Sequence, residues 1–338
     1  MKKNQESDLE TVLDVTLSTP PPFFARLKFQ SAAITNELFP LEVIALSSFC
    51  ISLLLIAIFD VRFYYPSNNS SVFVLKHYII GLILALSIVL FFSWNITESI
   101  SLKLITKKSI YIARYALSFS SIIFFHFNFK LWAQLVNPVL FDDWYKYTDE
   151  FLAPLHHAIV HINIGFTPLE TYLTNAYHDV FVFMFYISFA FFGIFTKARP
   201  YLERLTCAIA LVLIIGGLCY MIAPAWGPFI YSEHKNFIQK AMLDFQIAFI
   251  QTHGAKFSGD NFISPLGAMP SLHTAHAFVL WFYARRHIKL LGYIYIPLVI
   301  YIITEAVSSG WHYIVDIFLG LIVASVSVLL AEKFHLKK

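Results

Sequence analysis

Gly267-Ala268-Met269-Pro270-Ser271-Leu272-His273-Thr274-Ala275-His276 opens an apolar run that stops at Arg285-Arg286-His287-Ile288-Lys289. A turn-forming polar start, an apolar body and a basic stop describe a short helix set into a membrane. Pro270 suits the first helical position, and Ser271 suits a cap. A helix start leaves backbone N–H groups unpaired and carries partial positive charge, so it favours an anion. A second polar island, Gly310-Trp311-His312-Tyr313-Ile314-Val315-Asp316, opens the last apolar run. Its His312 and Asp316 are four residues apart and share a helix face. A carboxylate beside an imidazole holds one ring nitrogen protonated and leaves the other free to attack. The two islands are expected to face each other and to handle a phosphate.

Composition points the same way. Of 338 residues, 58% are hydrophobic and only 13% charged, with 35 Phe, too little charge to cover a soluble domain of this length. The apolar residues come in long blocks, many of about 17–20 residues, the length that crosses a hydrocarbon core. The expected fold is an all-α integral membrane protein of about eight transmembrane helices, at 43–59, 78–94, 111–132, 180–195, 205–223, 271–284, 290–305 and 313–331. Residues 1–40 read as a cytoplasmic tail with Pro20-Pro21-Pro22 at its middle, 41–109 as two spans, 110–332 as a catalytic core and 333–338 as a basic tail. Cys50, Cys207 and Cys219 lie inside apolar blocks, so a disulfide framework is not expected. The net charge of +3 gives no reason to expect a nucleic-acid partner.

Most of the 24 Lys and Arg fall on one side of this layout, and every short loop on that side is basic. By the positive-inside rule that side is cytoplasmic. Both polar islands then lie on the other face, with the long loops 133–179 and 224–270. The first loop is acidic (Asp142, Asp143, Asp149, Glu150, Glu170) and carries His156, His157 and His161. Its segment 151–166 reads as a helix in the membrane interface, and Trp132, Trp144, Tyr145 and Tyr147 read as an aromatic belt. The expected location is a bacterial inner membrane, with the site facing the periplasm or the outside.

The stretches 268–276 and 311–320 resemble the second and third signature motifs of the type 2 phosphatidic acid phosphatase superfamily. Leu272, where the phosphatases usually carry Gly, is similar to the branch that contains inositol phosphorylceramide synthases, as is His312-Tyr313-Ile314-Val315-Asp316 with Gly320 after it. The resemblance implies a six-helix core preceded by two extra spans. It also implies roles: His312 as a nucleophile that forms a phosphohistidine, Asp316 orienting it, and His273 as acid and then base. Ser271 and the N–H groups of 271–273 would hold phosphoryl oxygens. No metal and no cofactor are implied. The pattern departs from the phosphatases in its cations. Their first motif is a Lys, six residues, then Arg-Pro; here Arg199-Pro200 has Phe192 in the Lys place and falls on the cytoplasmic side. The positional equivalent is Tyr220-Met221-Ile222-Ala223-Pro224-Ala225-Trp226-Gly227-Pro228. The Ser-Arg expected before the third motif is replaced by Glu305-Ala306-Val307-Ser308-Ser309. Lys130, Lys235, Lys240 and Lys256 are the candidate substitutes.

Further candidates for substrate contact are Leu272, Trp226, Pro228, His178 and Glu305, with His276 a packed neighbour of His273. Three functions are open: a membrane phosphotransferase moving a phosphorylated headgroup or phosphoryl group from a lipid donor, a lipid phosphate or polyprenyl diphosphate phosphatase using the same residues, and a transporter with His residues in its outer vestibule. The expected partners are a lipid-linked phosphate and the bilayer; oligomeric state is open. The topology is testable directly. A reporter fused after Lys338 should read out as cytoplasmic and one inserted in loop 133–179 as external; an external C-terminus contradicts the assignment.

Overall fold

The structure is a computed structural model that describes residues 38–65, 80–84, 87, 102–173, 176–195, 197–198, 201–255 and 265–336. The chain divides into two compact units, Met1–Phe39 and Pro40–Lys338, and the second is the subject here. Residues 1–37 of the expected tail, most of the expected span at 78–94, Arg199-Pro200 and Lys256 lie outside the described residues.

Every regular element among the described residues is helical. In chain order they are α1 (Pro40–Phe59), α2 (Leu102–Val136), α3 (Asp142–Phe151), α4 (Ala153–Ile164), α5 (Thr167–Tyr172), α6 (Ala176–Ile194), α7 (Leu202–Ile222), a single 3-10 turn (Pro228–Tyr231), α8 (Phe237–Gln251), α9 (Leu272–His287), α10 (Lys289–Ser308) and α11 (Ile314–Leu336). Five of them, α1, α6, α7, α10 and α11, are long and apolar enough to cross a membrane. The chain is a multi-pass membrane protein. The expected third and sixth spans are also helices, but of a different kind. The long α2 is interrupted by buried polar residues such as Ser118, His126, Asn128 and Gln134. The 16 residues of α9 rise only about 24 Å at 1.5 Å per residue, short of a hydrocarbon core of about 30 Å. The helix expected over 151–166 is present as α4, and the loop carries two further short helices, α3 before it and α5 after it.

The bundle is organised around α7. Residues 205–214 are buried without interruption, as a helix apolar on all sides requires. Around it pack α2, α9 and α11, while α1 packs on α2 and α10 packs on α9. Outlying ion pairs fasten the helices: Arg114 to Glu42 joins α2 to α1, and Arg204 to Glu332 joins α7 to α11, each at 2.7 Å. Leu272 is drawn into this core, where its side chain packs on Gly216 of α7.

The contact between α9 and α11 sets the site. A Cβ on Gly320 would lie 2.5 Å from the Ser271 carbonyl oxygen, so α11 passes against the start of α9 only where there is no side chain. The obstacle is backbone, which cannot rotate aside. Gly320→Ala is therefore expected to cost about 1–3 kcal/mol, the usual range for overpacking, read as a lowered melting temperature with loss of activity. Val326→Ala, on the exposed side of the same helix, should shift melting little. Equal melting for the two variants would contradict this packing.

Candidate active site

The two polar islands meet. Ser271 donates its N–H to the Asp316 carbonyl at 3.0 Å. His312 turns Nδ1 to the Ala268 carbonyl oxygen at 2.8 Å, with Asp316 Oδ2 at 3.4 Å. With two acceptors facing Nδ1, the ring proton sits there and Nε2 carries the lone pair. Asp316 is fully buried and also accepts the Tyr313 N–H at 2.8 Å through Oδ2. The first partner of His312 Nδ1 is thus a backbone carbonyl from the other island, and the carboxylate is second. That carbonyl is invisible to a reading of side-chain types.

His273 is the second residue of α9. Its ring lies against Tyr177 at 4.8 Å and meets Phe181 edge-on at 4.5 Å, both from α6. His312, Lys130 and His178 are near enough to influence its charge. The start of α9 differs from the expected cap. The helix begins at Leu272 with Ser271 as N-cap, so Pro270, joined to Met269 by a cis peptide, precedes the helix instead of opening it. Ser271 does not cap through its side chain; its hydroxyl donates to Thr274 Oγ1 at 3.0 Å. Its N–H is engaged by Asp316, which leaves the N–H groups of Leu272 and His273 at the first turn without an acceptor in the helix.

A third loop closes on the islands. Ala268 donates its N–H to the Ala225 carbonyl at 2.8 Å, and Phe229 donates to the Gly310 carbonyl at 2.9 Å. Segment 224–229, the stretch in the place of the first motif, is thereby stitched to both islands. Trp226 packs with Trp311 about Phe229, Met242 and Leu266, and Pro228 opens the 3-10 turn. His178 lies 3.7 Å from Asp179. Glu305, near the end of α10, accepts from Asn163 Nδ2 at 2.9 Å. His276 is buried, with Nδ1 2.8 Å from the Leu272 carbonyl. Among the described residues no three His, Cys, Asp or Glu side chains converge as metal ligands.

Comparison with family models gives a match to the PAP2 superfamily over residues 153–330, more than half of the chain. The chain belongs to the PAP2 superfamily. Members are typically phosphatases or phosphotransferases, which supports an enzyme of that general kind. Neither the curated proteins nor the solved structures gave a match. The PAP2 match begins at Ala153, so α2, in which the expected third span falls, lies outside it.

Two acids that the sequence offered only as part of an acidic loop hold this PAP2 site in place. Asp142, at the start of α3 and buried, accepts the N–H groups of Trp226 and Gly227 and the hydroxyl of Tyr313, all at 2.9–3.0 Å. One carboxylate thus joins the third loop to the residue after His312. Burial raises its carboxyl above the usual range, and these donors oppose the rise. Asp149 accepts the Ile314 N–H at 2.9 Å, which satisfies one of the free donors at the start of α11. An acid at a helix start is a signal the sequence carries, but the helix served by Asp149 is far away in the chain.

Burial pushes the Asp149 carboxyl up to about 6, with Asp316 adding to the rise and the Ile314 N–H opposing it. A carboxyl raised by folding contributes stability that is complete below its ordinary value near 4 and is lost as pH rises through about 6. Melting temperature should therefore fall from pH 4 to pH 6 by an increment that Asp149→Asn removes. The same slope in both proteins would contradict this assignment. Asp142→Ala leaves three donors without their acceptor, each costing about 1–3 kcal/mol if it stays buried. That variant should lose activity and melt lower.

Proposed function

We propose that this PAP2 protein is a membrane phosphotransferase of the branch that resembles inositol phosphorylceramide synthases, working through a phosphohistidine at His312. The observation that carries the proposal is the pairing of His312 Nδ1 with the Ala268 carbonyl and Asp316, which leaves Nε2 as the nucleophile, with His273 close by. In the first step Nε2 attacks the phosphorus of a lipid-linked phosphate. The P–N bond forms, the P–O bond to the lipid breaks, and His273 gives a proton to the leaving oxygen. In the second step His273 takes the proton from an acceptor hydroxyl, which attacks phosphorus and breaks the P–N bond. Charge that builds on the phosphoryl oxygens is met by the free N–H groups of Leu272 and His273, and by the Ser271 hydroxyl once it rotates from Thr274. Asp316 stabilises the charge on His312 during transfer.

In this reading His178 and Glu305 serve the acceptor headgroup, Glu305 with Asn163, which donates to it. Trp226 and Pro228 shape the third loop. Leu272 acts through the packing of α9 on α7 rather than by contact with substrate. The site faces the non-cytoplasmic side in this reading, which rests on the distribution of Lys and Arg. Water as acceptor would turn the same steps into hydrolysis, so the acceptor separates the two activities.

Purified protein given a lipid phosphate labelled at phosphorus should pass label to a hydroxylated lipid or glycan acceptor faster than to water. Free phosphate alone, with no gain from any acceptor, would assign the protein to the hydrolases. His312→Ala should abolish both outcomes, and surviving turnover would remove His312 as nucleophile. His273→Ala should form the phosphoenzyme only from donors with a good leaving group.

A further inference from the structure

The places where the phosphatase motifs would supply cations carry Phe192, buried in α6, and Glu305-Ala306-Val307-Ser308-Ser309. A phosphoryl group held only by backbone N–H groups would leave much of its charge unmet. A cation does reach the site, from outside the family match. Lys130 lies on α2 and runs its stem into the space beside Gly267, where a Cβ would come 2.9 Å from Lys130 Cε. The Lys130 ammonium stands over the Tyr220 ring, 5.3 Å from its centre. Gly267 opens the first polar island, and Tyr220 leads into the third loop. The ammonium is also near enough for its charge to reach His273.

The surroundings of Lys130 are built rather than incidental. One turn on along α2, Gln134 accepts from Gln246 Nε2 at 2.8 Å, and Gln246 Oε1 accepts the Leu266 N–H at 3.1 Å. This relay fastens residues 266–267 to the end of α2 that carries Lys130. Among the described residues no carboxylate lies within ion-pair distance of Lys130. A partly buried lysine without a counter-charge is costly and calls for one. Two of the other candidate lysines are among the described residues. Lys235 donates to the Ser232 carbonyl at 2.6 Å on an exposed loop, and Lys240 is exposed on α8.

We propose that Lys130 is the cation that binds the donor phosphate, supplied by α2 from beyond the residues that define the superfamily. The proposal rests on the phosphoryl-transfer reading of the site and names the group that holds its anionic substrate. It also gives α2 a part in the site: without that helix, the three loops would lack positive side-chain charge at this position.

The test is the binding of orthovanadate, a phosphate mimic, to the full chain in lipid nanodiscs by isothermal titration at low salt. Wild type, Lys130→Met, Lys130→Arg, Lys240→Met and His312→Ala are compared. Lys130→Met should weaken binding about tenfold or more, the scale of one charge-assisted hydrogen bond. Lys130→Arg should restore most of it, and Lys240→Met should bind as wild type. A structural role alone would not give recovery by charge. A second measurement needs no variant: orthovanadate should slow acetylation of Lys130 in the wild-type protein, read by mass spectrometry. If Lys130→Met binds as wild type while His312→Ala does not, or if acetylation of Lys130 is unaffected by bound orthovanadate, the Lys130 assignment falls and the transfer reading stands. If the wild-type protein binds no orthovanadate, both fall.

Discussion

The hydrogen bond from the Ser271 N–H to the Asp316 carbonyl joins the two halves of the site by backbone alone. It requires α9 and α11 to approach within backbone contact, and Gly320 is what permits this. Once they meet there, the Ala268 carbonyl comes to His312 Nδ1, and Asp316 Oδ2 lies beside the same ring. The same approach uses up the Ser271 N–H, so the anion-friendly start of α9 is narrowed to the donors that follow it. A site made this way is rigid for a physical reason: its donors and acceptors are main chain, held by helices whose apolar faces are buried in the bundle.

Much of this was legible from residue types, and the limits are specific. Long apolar blocks gave the helical membrane fold, and the two islands announced themselves as polar openings of apolar runs. The roles of Ala268 and Asp142 were not legible. A backbone carbonyl has no side-chain signature, and Asp142 serves loops at Trp226, Gly227 and Tyr313 that are distant in sequence. Leu272 illustrates the opposite error. Its place in a motif drew it toward the substrate, while its side chain fills the space above Gly216. Ser271 and Pro270 were each read as helix-start residues from local propensity, and tertiary contacts shifted both parts: Pro270 precedes the helix, and Ser271 caps it without a side-chain bond.

Span count was less legible than span existence. The helix α9 is short because a polar island and a basic stop bound it closely, and α2 mixes polar with apolar residues along a great length. Both departures occur where the site is built. A helix that keeps His126, Asn128, Lys130 and Gln134 in the bundle bears a desolvation cost that a purely apolar helix avoids. Three of these groups are hydrogen-bonded: Asn128 holds the backbone of Tyr64, His126 faces the Leu213 carbonyl, and Gln134 joins Gln246. The helix beyond the family match is thus bound to the rest by polar contacts inside the bundle.

The central claim is covalent transfer through His312. Its most direct test is to quench the enzyme during turnover of a phosphorus-labelled lipid donor and map the label on the protein. The account predicts label that is stable to alkali, labile to acid and located on the peptide containing His312. Label on Ser271, or a turning-over enzyme that never carries label, would contradict it.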